Sequence, residues 1–174
     1  MKKYIYTLIV FAAGLISCSE DDLTLSSPND VTIEDLLSTA DGTEQLLIGA
    51  YDGYQKIPQN EFLITESRSD NSRFGSDTES TLGAFHTFSL TNNNVEVFNY
   101  WSNNYKVIFQ SNLVIGNQSN YLDFASSTNN VIGEAYFLRA LSHFNLVRAF
   151  RDIPYVDRTV TLEDYQAIPQ GAES

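Results

Sequence analysis

Residues 130–156 read NVIGEAYFLRALSHFNLVRAFRDIPYV, and the reading of this stretch decides the fold. Wound at about 100° per residue, Tyr136, Phe137, Ala140, Phe144 and Val147 share one unbroken apolar arc of roughly a third of the circumference. Val131, Leu138, Leu141 and Ala149 are apolar on the far side, interrupted by Glu134, Ser142 and Asn145. A helix apolar on more than one side packs between other helices, so the main arc is expected to be core. Asn130 is placed as an N-cap, Glu134 sits near the positive helix start, and Arg148 and Arg151 complement the negative end. Pro154 then stops the helix, and residues 152–156 are expected to leave as an extended segment.

The 174-residue chain is long enough to bury one good core, and 43% hydrophobic with 13% aromatic residues is a globular composition. A net charge of −12 argues against nucleic acid, because no basic patch is there to neutralise phosphates. A single cysteine rules out an internal disulfide or a cysteine zinc cluster.

That cysteine is explained by its neighbours. Residues 1–17 have the form of a secretory signal peptide, with Lys2 and Lys3 ahead of a short apolar run from Tyr4 to Ile16. The run is too short for an ordinary membrane span. Leu15-Ile16-Ser17-Cys18 has the form of a bacterial lipobox, in which the Cys18 thiolate accepts a diacylglycerol and the freed amine a further acyl chain. Several acyl chains at about 0.8 kcal/mol per buried CH2 make a stable anchor. Loss of Lys2 and Lys3 leaves 8 basic against 22 acidic side chains, about −14. Residues 18–31, opening with Ser19-Glu20-Asp21-Asp22, read as an acidic and polar tether. Fully extended it would hold the body up to roughly 45 Å from the lipid.

The body, residues 32–174, opens with a short helix capped by Thr32 and Asp35. A second helix is expected from the capping box Asp41-Gly42-Thr43-Glu44, placing Leu47, Ala50 or Tyr51, and Tyr54 on one face and ending at Pro58. Apolar residues are sparse from Phe62 to Asn93, so residues 60–93 are expected to form a long irregular insertion. A capping box at Asn93 to Glu96 opens a long helix to about Asn117, with Val97, Trp101, Tyr105, Ile108 and Ile115 in one stripe. Asn112 falls inside that stripe and is expected to be hydrogen-bonded, since a buried unpaired amide costs about 1–3 kcal/mol. Tyr121 to Asn129 reads as a turn.

Three of these segments resemble the SusD/RagB family of nutrient-uptake outer-membrane lipoproteins of Bacteroidetes. They are Glu134 to Leu141 continued by Phe144-Asn145-Leu146-Val147-Arg148 and Asp152 to Val156, Trp101-x-x-x-Tyr105-x-x-Ile108-x-x-Ser111-Asn112, and Ala50-Tyr51 after an acidic tether. Most members carry a small residue and then asparagine where Ser111 and Asn112 stand. Glu66 to Asn71 resembles the family's polar turn after its first helices, and the acidic run resembles its signal for surface display. The resemblance covers nearly all of this sequence but about the first third of a typical member, so the chain is read as truncated or incomplete.

The resemblance implies a mainly α fold of antiparallel, tetratricopeptide-like helix pairs. No 34-residue sequence repeat is visible by itself. It implies an exterior-facing lipoprotein that binds an oligosaccharide or other nutrient and passes it to a SusC-type TonB-dependent transporter. Sugar recognition combines an aromatic face with amides and guanidinium groups, and the type member uses a tryptophan and an asparagine at the spacing of Trp101 and Asn104. Asn71 and Arg73, on the expected loop, are further candidates for the glycan, whereas the plain reading of Trp101 is core.

His86 and His143 are the only histidines, and His143 reads as a partly buried packing residue. The sequence carries no HExxH, phosphate loop, GxSxG elbow or dinucleotide turn, so no catalytic, metal or cofactor residues are expected. A non-catalytic binding protein is the reading carried forward. Its competitors are a helical-repeat adhesin or scaffold on the same anchor, and a truncated product without function.

Overall fold

The computed structural model describes residues 31–72, 81–124, 130–161 and 164. The signal peptide, Cys18, most of the tether and Arg73 lie outside the described residues. All regular structure among the described residues is helical. The elements are α1 (Ile33–Leu37), α2 (Ala40–Glu66), α3 (Gly83–His86), α4 (Val95–Gly116), α5 (Gln118–Phe124) and α6 (Val131–Phe150). None is long and apolar enough to cross a membrane.

The body is built on α2, α4 and α6, and its register can be followed through hydrogen bonds. Asn117 donates to Thr43 Oγ1 at 3.1 Å, and Asn103 donates to Asn60 at 3.2 Å, so α2 and α4 run antiparallel. Asn112 meets Arg139 at 2.8 Å and Asn104 meets Asn145 at 3.4 Å, which makes α4 and α6 antiparallel as well. Tyr51 with Glu134 (2.9 Å) and Glu61 with Arg148 (3.2 Å) place α6 parallel to α2. The expected antiparallel helix pairs are therefore present.

Several boundaries differ from the sequence expectation, each for a local reason. Thr39 caps α2, accepting from Gly42 N at 3.0 Å, so the helix begins before the Asp41 box. Helix α2 also runs through Pro58 to Glu66, so the irregular insertion begins later than expected. Pro58 is exposed on the outer side of the helix, while Ile57 and Ile64 on either side are buried. Asn94, not Asn93, caps α4, accepting from Glu96 N and Val97 N at 3.0 and 3.3 Å. The expected turn at 121 begins instead inside α5, whose Tyr121 is buried and donates to Glu44. Asn130 makes no side-chain cap bond to α6.

The main correction concerns which side of α6 is core. The arc of Tyr136, Phe137, Ala140, Phe144 and Val147 is exposed, with Phe137 64% and Phe144 58% accessible. The buried side is its opposite, made by Val131, Ile132, Ala135, Leu138, Ser142, Asn145 and Leu146. Small Ala135 and Ser142 let α6 approach its neighbours closely. Asn145, which seems to interrupt an apolar face, is bonded to the buried Asn104 of α4. The buried side of α6 is thus the one that carries the polar partner of Asn104, not the one richer in aromatic surface.

Asn112 is bonded as expected. Its amide donates to Val156 O and Arg158 O at 3.2 and 3.0 Å and accepts from Arg139 at 2.8 Å. Arg139 also donates to Asp157 O at 2.6 Å, and Tyr105 to Pro154 O at 2.7 Å. Val156 N donates to His143 Nε2 at 3.4 Å, and Ile153 is buried against Ile108 and Leu146. The exit segment 152–158 is therefore clamped back onto α4 and α6. The reversal is made at Arg151, whose φ of 66° is unfavourable for a residue with a side chain. The clamp over-determines that turn.

Candidate functional site

A groove of about 500 Å3 lies between α2 and α4. That volume falls in the usual range for small-ligand sites, roughly 300–1,000 Å3. A second crevice, bounded by Glu61, Tyr100 and Arg148, is about 80 Å3 and falls well short. Burial raises the Tyr100 phenol there to about 12, so it stays a neutral hydroxyl at physiological pH.

Two glycines make the groove possible. A Cβ on Gly49 would stand 3.2 Å from Gln110 Nε2, and one on Gly53 would stand 3.3 Å from Val107 Cγ2. Any larger residue would crowd the facing wall. Gln110 lies between them with a buried Oε1 that accepts no hydrogen bond from protein.

The α4 wall is aromatic. Phe98, Trp101, Tyr105 and Phe109 recur at three or four residues, the spacing that places side chains on one helix face. Trp101 is half-buried, with its ring 4.9 Å from both Tyr105 and Phe150 and edge-on to the latter. It is both core and groove wall: one part braces α6, another faces the opening. Ser102 and Lys106 stand on the same wall, and Asp52 and Lys56 stand on the α2 wall.

Of the described residues expected from sequence, only Trp101 lines this groove. Asn104 is fully buried on another side of α4, donating to Tyr100 O at 2.8 Å and accepting from Asn145. A 60° rotation between positions 101 and 104 separates groove from interior, so the two do not form a joint site. Asn71 is exposed in the turn after α2, its backbone N–H bonded to Ser69 Oγ at 3.3 Å, and does not line the groove. Arg73 and Cys18 lie outside the described residues.

The groove residues missed by sequence carried a faint signal. Phe98, Ser102, Lys106 and Gln110 repeat every four residues opposite Gly49-x-x-x-Gly53. No cluster of three or more His, Cys, Asp or Glu that could hold a metal occurs among the described residues.

A family model described as "Starch-binding associating with outer membrane", SusD-like, matches residues 22–167. The chain is 29% identical over 168 residues to SusD-like protein P2 of Formosa agariphila, covering 92% of this chain and 32% of that protein. It is 26% identical over 180 residues to SusD-like protein P38 of the same organism, covering 99% of this chain and 35% of that one. The chain thus spans about a third of the length of the curated relatives it matches. No solved structure matches it significantly.

Proposed function

This chain belongs to the SusD-like family, and from that premise we propose that it is an outer-membrane lipoprotein that captures an oligosaccharide and passes it to a SusC-type TonB-dependent transporter. Cys18 is the acylated residue, residues 18–31 are the tether, and the body faces the cell exterior. The role is binding, without catalysis.

The observation that carries the binding step is the groove between α2 and α4. Its aromatic wall, with Trp101 and Tyr105 at the centre, offers apolar surface to pyranose rings, while the Ser102 hydroxyl and the side-chain amide of Gln110 supply polar groups for hydroxyls. A flat aromatic side with a few directed polar groups is what a sugar, apolar on its ring faces and polar at its rim, requires.

Two measurements test the reading. Native lipoprotein purified from outer membranes in mild detergent should carry a β-barrel transporter in stoichiometric amount, and recovery of the chain alone would refute the transport role. Glycan binding by the full chain should fall about two- to tenfold in Trp101→Ala, given that one aromatic stacking contact is worth about 0.5–1.5 kcal/mol. Unchanged affinity in that variant would refute the groove as the sugar site.

A further inference from the structure

The cations of this chain are few, and their placement is uneven. The sequence has four lysines, two of them Lys2 and Lys3. The other two, Lys56 and Lys106, both line the one groove, from opposite walls. Both are exposed, and neither ammonium has an ion-pair or hydrogen-bond partner among the described residues. Of the described arginines, Arg139 is bonded to Asn112 and Asp157 O, Arg148 to Glu61 and Arg158 to Asp157, while Arg68 and Arg151 are exposed and do not line the groove.

In a chain of net charge −12, carboxylates are abundant and a free ammonium is easily given a partner. Two ammoniums on facing walls of one concavity, neither with an ion-pair partner among the described residues, offer positive charge to a ligand anion from both sides. Asp52, one helical turn before Lys56, is the only carboxylate among the groove-lining residues, so the groove itself is locally cationic. The aromatic wall still calls for a sugar.

We propose that this groove takes an acidic oligosaccharide, and that Lys56 and Lys106 select its carboxylate or sulfate groups. This rests on the glycan reading above and narrows it. A neutral starch chain would use Trp101, Tyr105 and Gln110 but would leave both ammoniums without counter-charge. The lysines are exposed, so each contributes modestly, about two- to fivefold in affinity, and screening by salt weakens it further. Because the surrounding chain is acidic, selectivity comes from the local pair and not from long-range attraction.

The test is calorimetric titration of the full chain with three probes: hexagalacturonate, a sulfated galactan hexamer and maltohexaose. The acidic probes should bind more tightly than maltohexaose at 20 mM salt and lose most of that advantage at 0.5 M. Lys56→Gln with Lys106→Gln should weaken the acidic probes about tenfold. Asp52→Asn should strengthen them two- to fivefold, a gain that misfolding cannot imitate. Equal or preferred binding of maltohexaose, with no effect of the lysine or Asp52 changes, overturns the charge inference and leaves the glycan groove standing. Binding of none of the three overturns both.

Discussion

Two adjacent residues of α6 should respond in opposite ways to the same substitution. Leu138 is 1% exposed and belongs to the core shared with α2 and α4, whereas Phe137 is 64% exposed on the far side. Leu138→Ala removes a buried side chain from a packed interface and should cost about 2–5 kcal/mol. Phe137→Ala removes a larger side chain but only about a third of it is out of water. Complete burial of a phenylalanine is worth about 1.5–3 kcal/mol, so the lost contribution is about 0.5–1 kcal/mol. Alanine returns roughly half a kcal/mol through its better helix propensity. The net effect at Phe137 should lie within about 0.5 kcal/mol of zero.

Urea unfolding of the full chain followed by far-UV circular dichroism separates the two. With a slope of about 1–3 kcal/mol per molar urea, Leu138→Ala should lower the midpoint by about 1–2 M, and Phe137→Ala should leave it nearly unchanged. A midpoint shift at Phe137 as large as that at Leu138 would refute the assigned face of α6. It would mean that the aromatic arc is buried in solution and that the Asn104–Asn145 pairing does not set the register. Leu146→Ala and Val147→Ala form a second adjacent pair with the same expectation, since Leu146 is buried and Val147 is half exposed.

Asn112→Ala removes the amide that holds Val156 O, Arg158 O and Arg139, and should cost about 1–3 kcal/mol; tryptic cleavage after Arg158 should accelerate by at least tenfold if the clamp is real. His143 accepts from Val156 N–H through Nε2, so Nδ1 carries the proton toward Arg139 O and the ring is neutral. Burial lowers its pKa from the ordinary 6.5; the hydrogen bond to Arg139 O opposes this, the Arg139 charge adds to it and the Asp157 charge opposes it. The folded state thus binds its proton less readily than the unfolded state, so the contribution is complete above about pH 6.5 and is lost as pH falls toward the depressed folded value. Wild type should lose stability from pH 7.5 to 5.5 by more than His143→Leu does, and equal losses in urea midpoint would count against the assignment. Gly42→Ala would put a Cβ 2.2 Å from Leu36 O and should destabilise by about 1–3 kcal/mol, whereas Gly133→Ala, with nothing within 4 Å, should stabilise by up to about 1 kcal/mol in thermal melts.

The long helices were legible because their ends and stripes are local properties. Asn94 and Glu96 announce α4 within one residue, and the Asn112 amide, out of place in an apolar stripe, announces a partner before that partner is known. The buried face of α6 was not legible, because both of its faces are apolar and the exposed one carries the larger side chains. The partners that mark the buried face sit on α4, where Asn104 accepts from Asn145 and Asn112 accepts from Arg139. Complementarity of that kind belongs to a pair of helices and cannot be read from either alone. The groove is a similar case. Trp101 was identifiable as an aromatic that could serve a sugar, but Lys56 and Lys106 are 50 residues apart in sequence and acquire meaning only when Gly49 and Gly53 bring α2 against α4. The antiparallel register that seats Asn112 on the exit segment also sets Gln110 between those glycines, two residues earlier on the same helix. Clamp and groove therefore depend on one placement of α4, and a change that slides α4 along α2 should disturb both together.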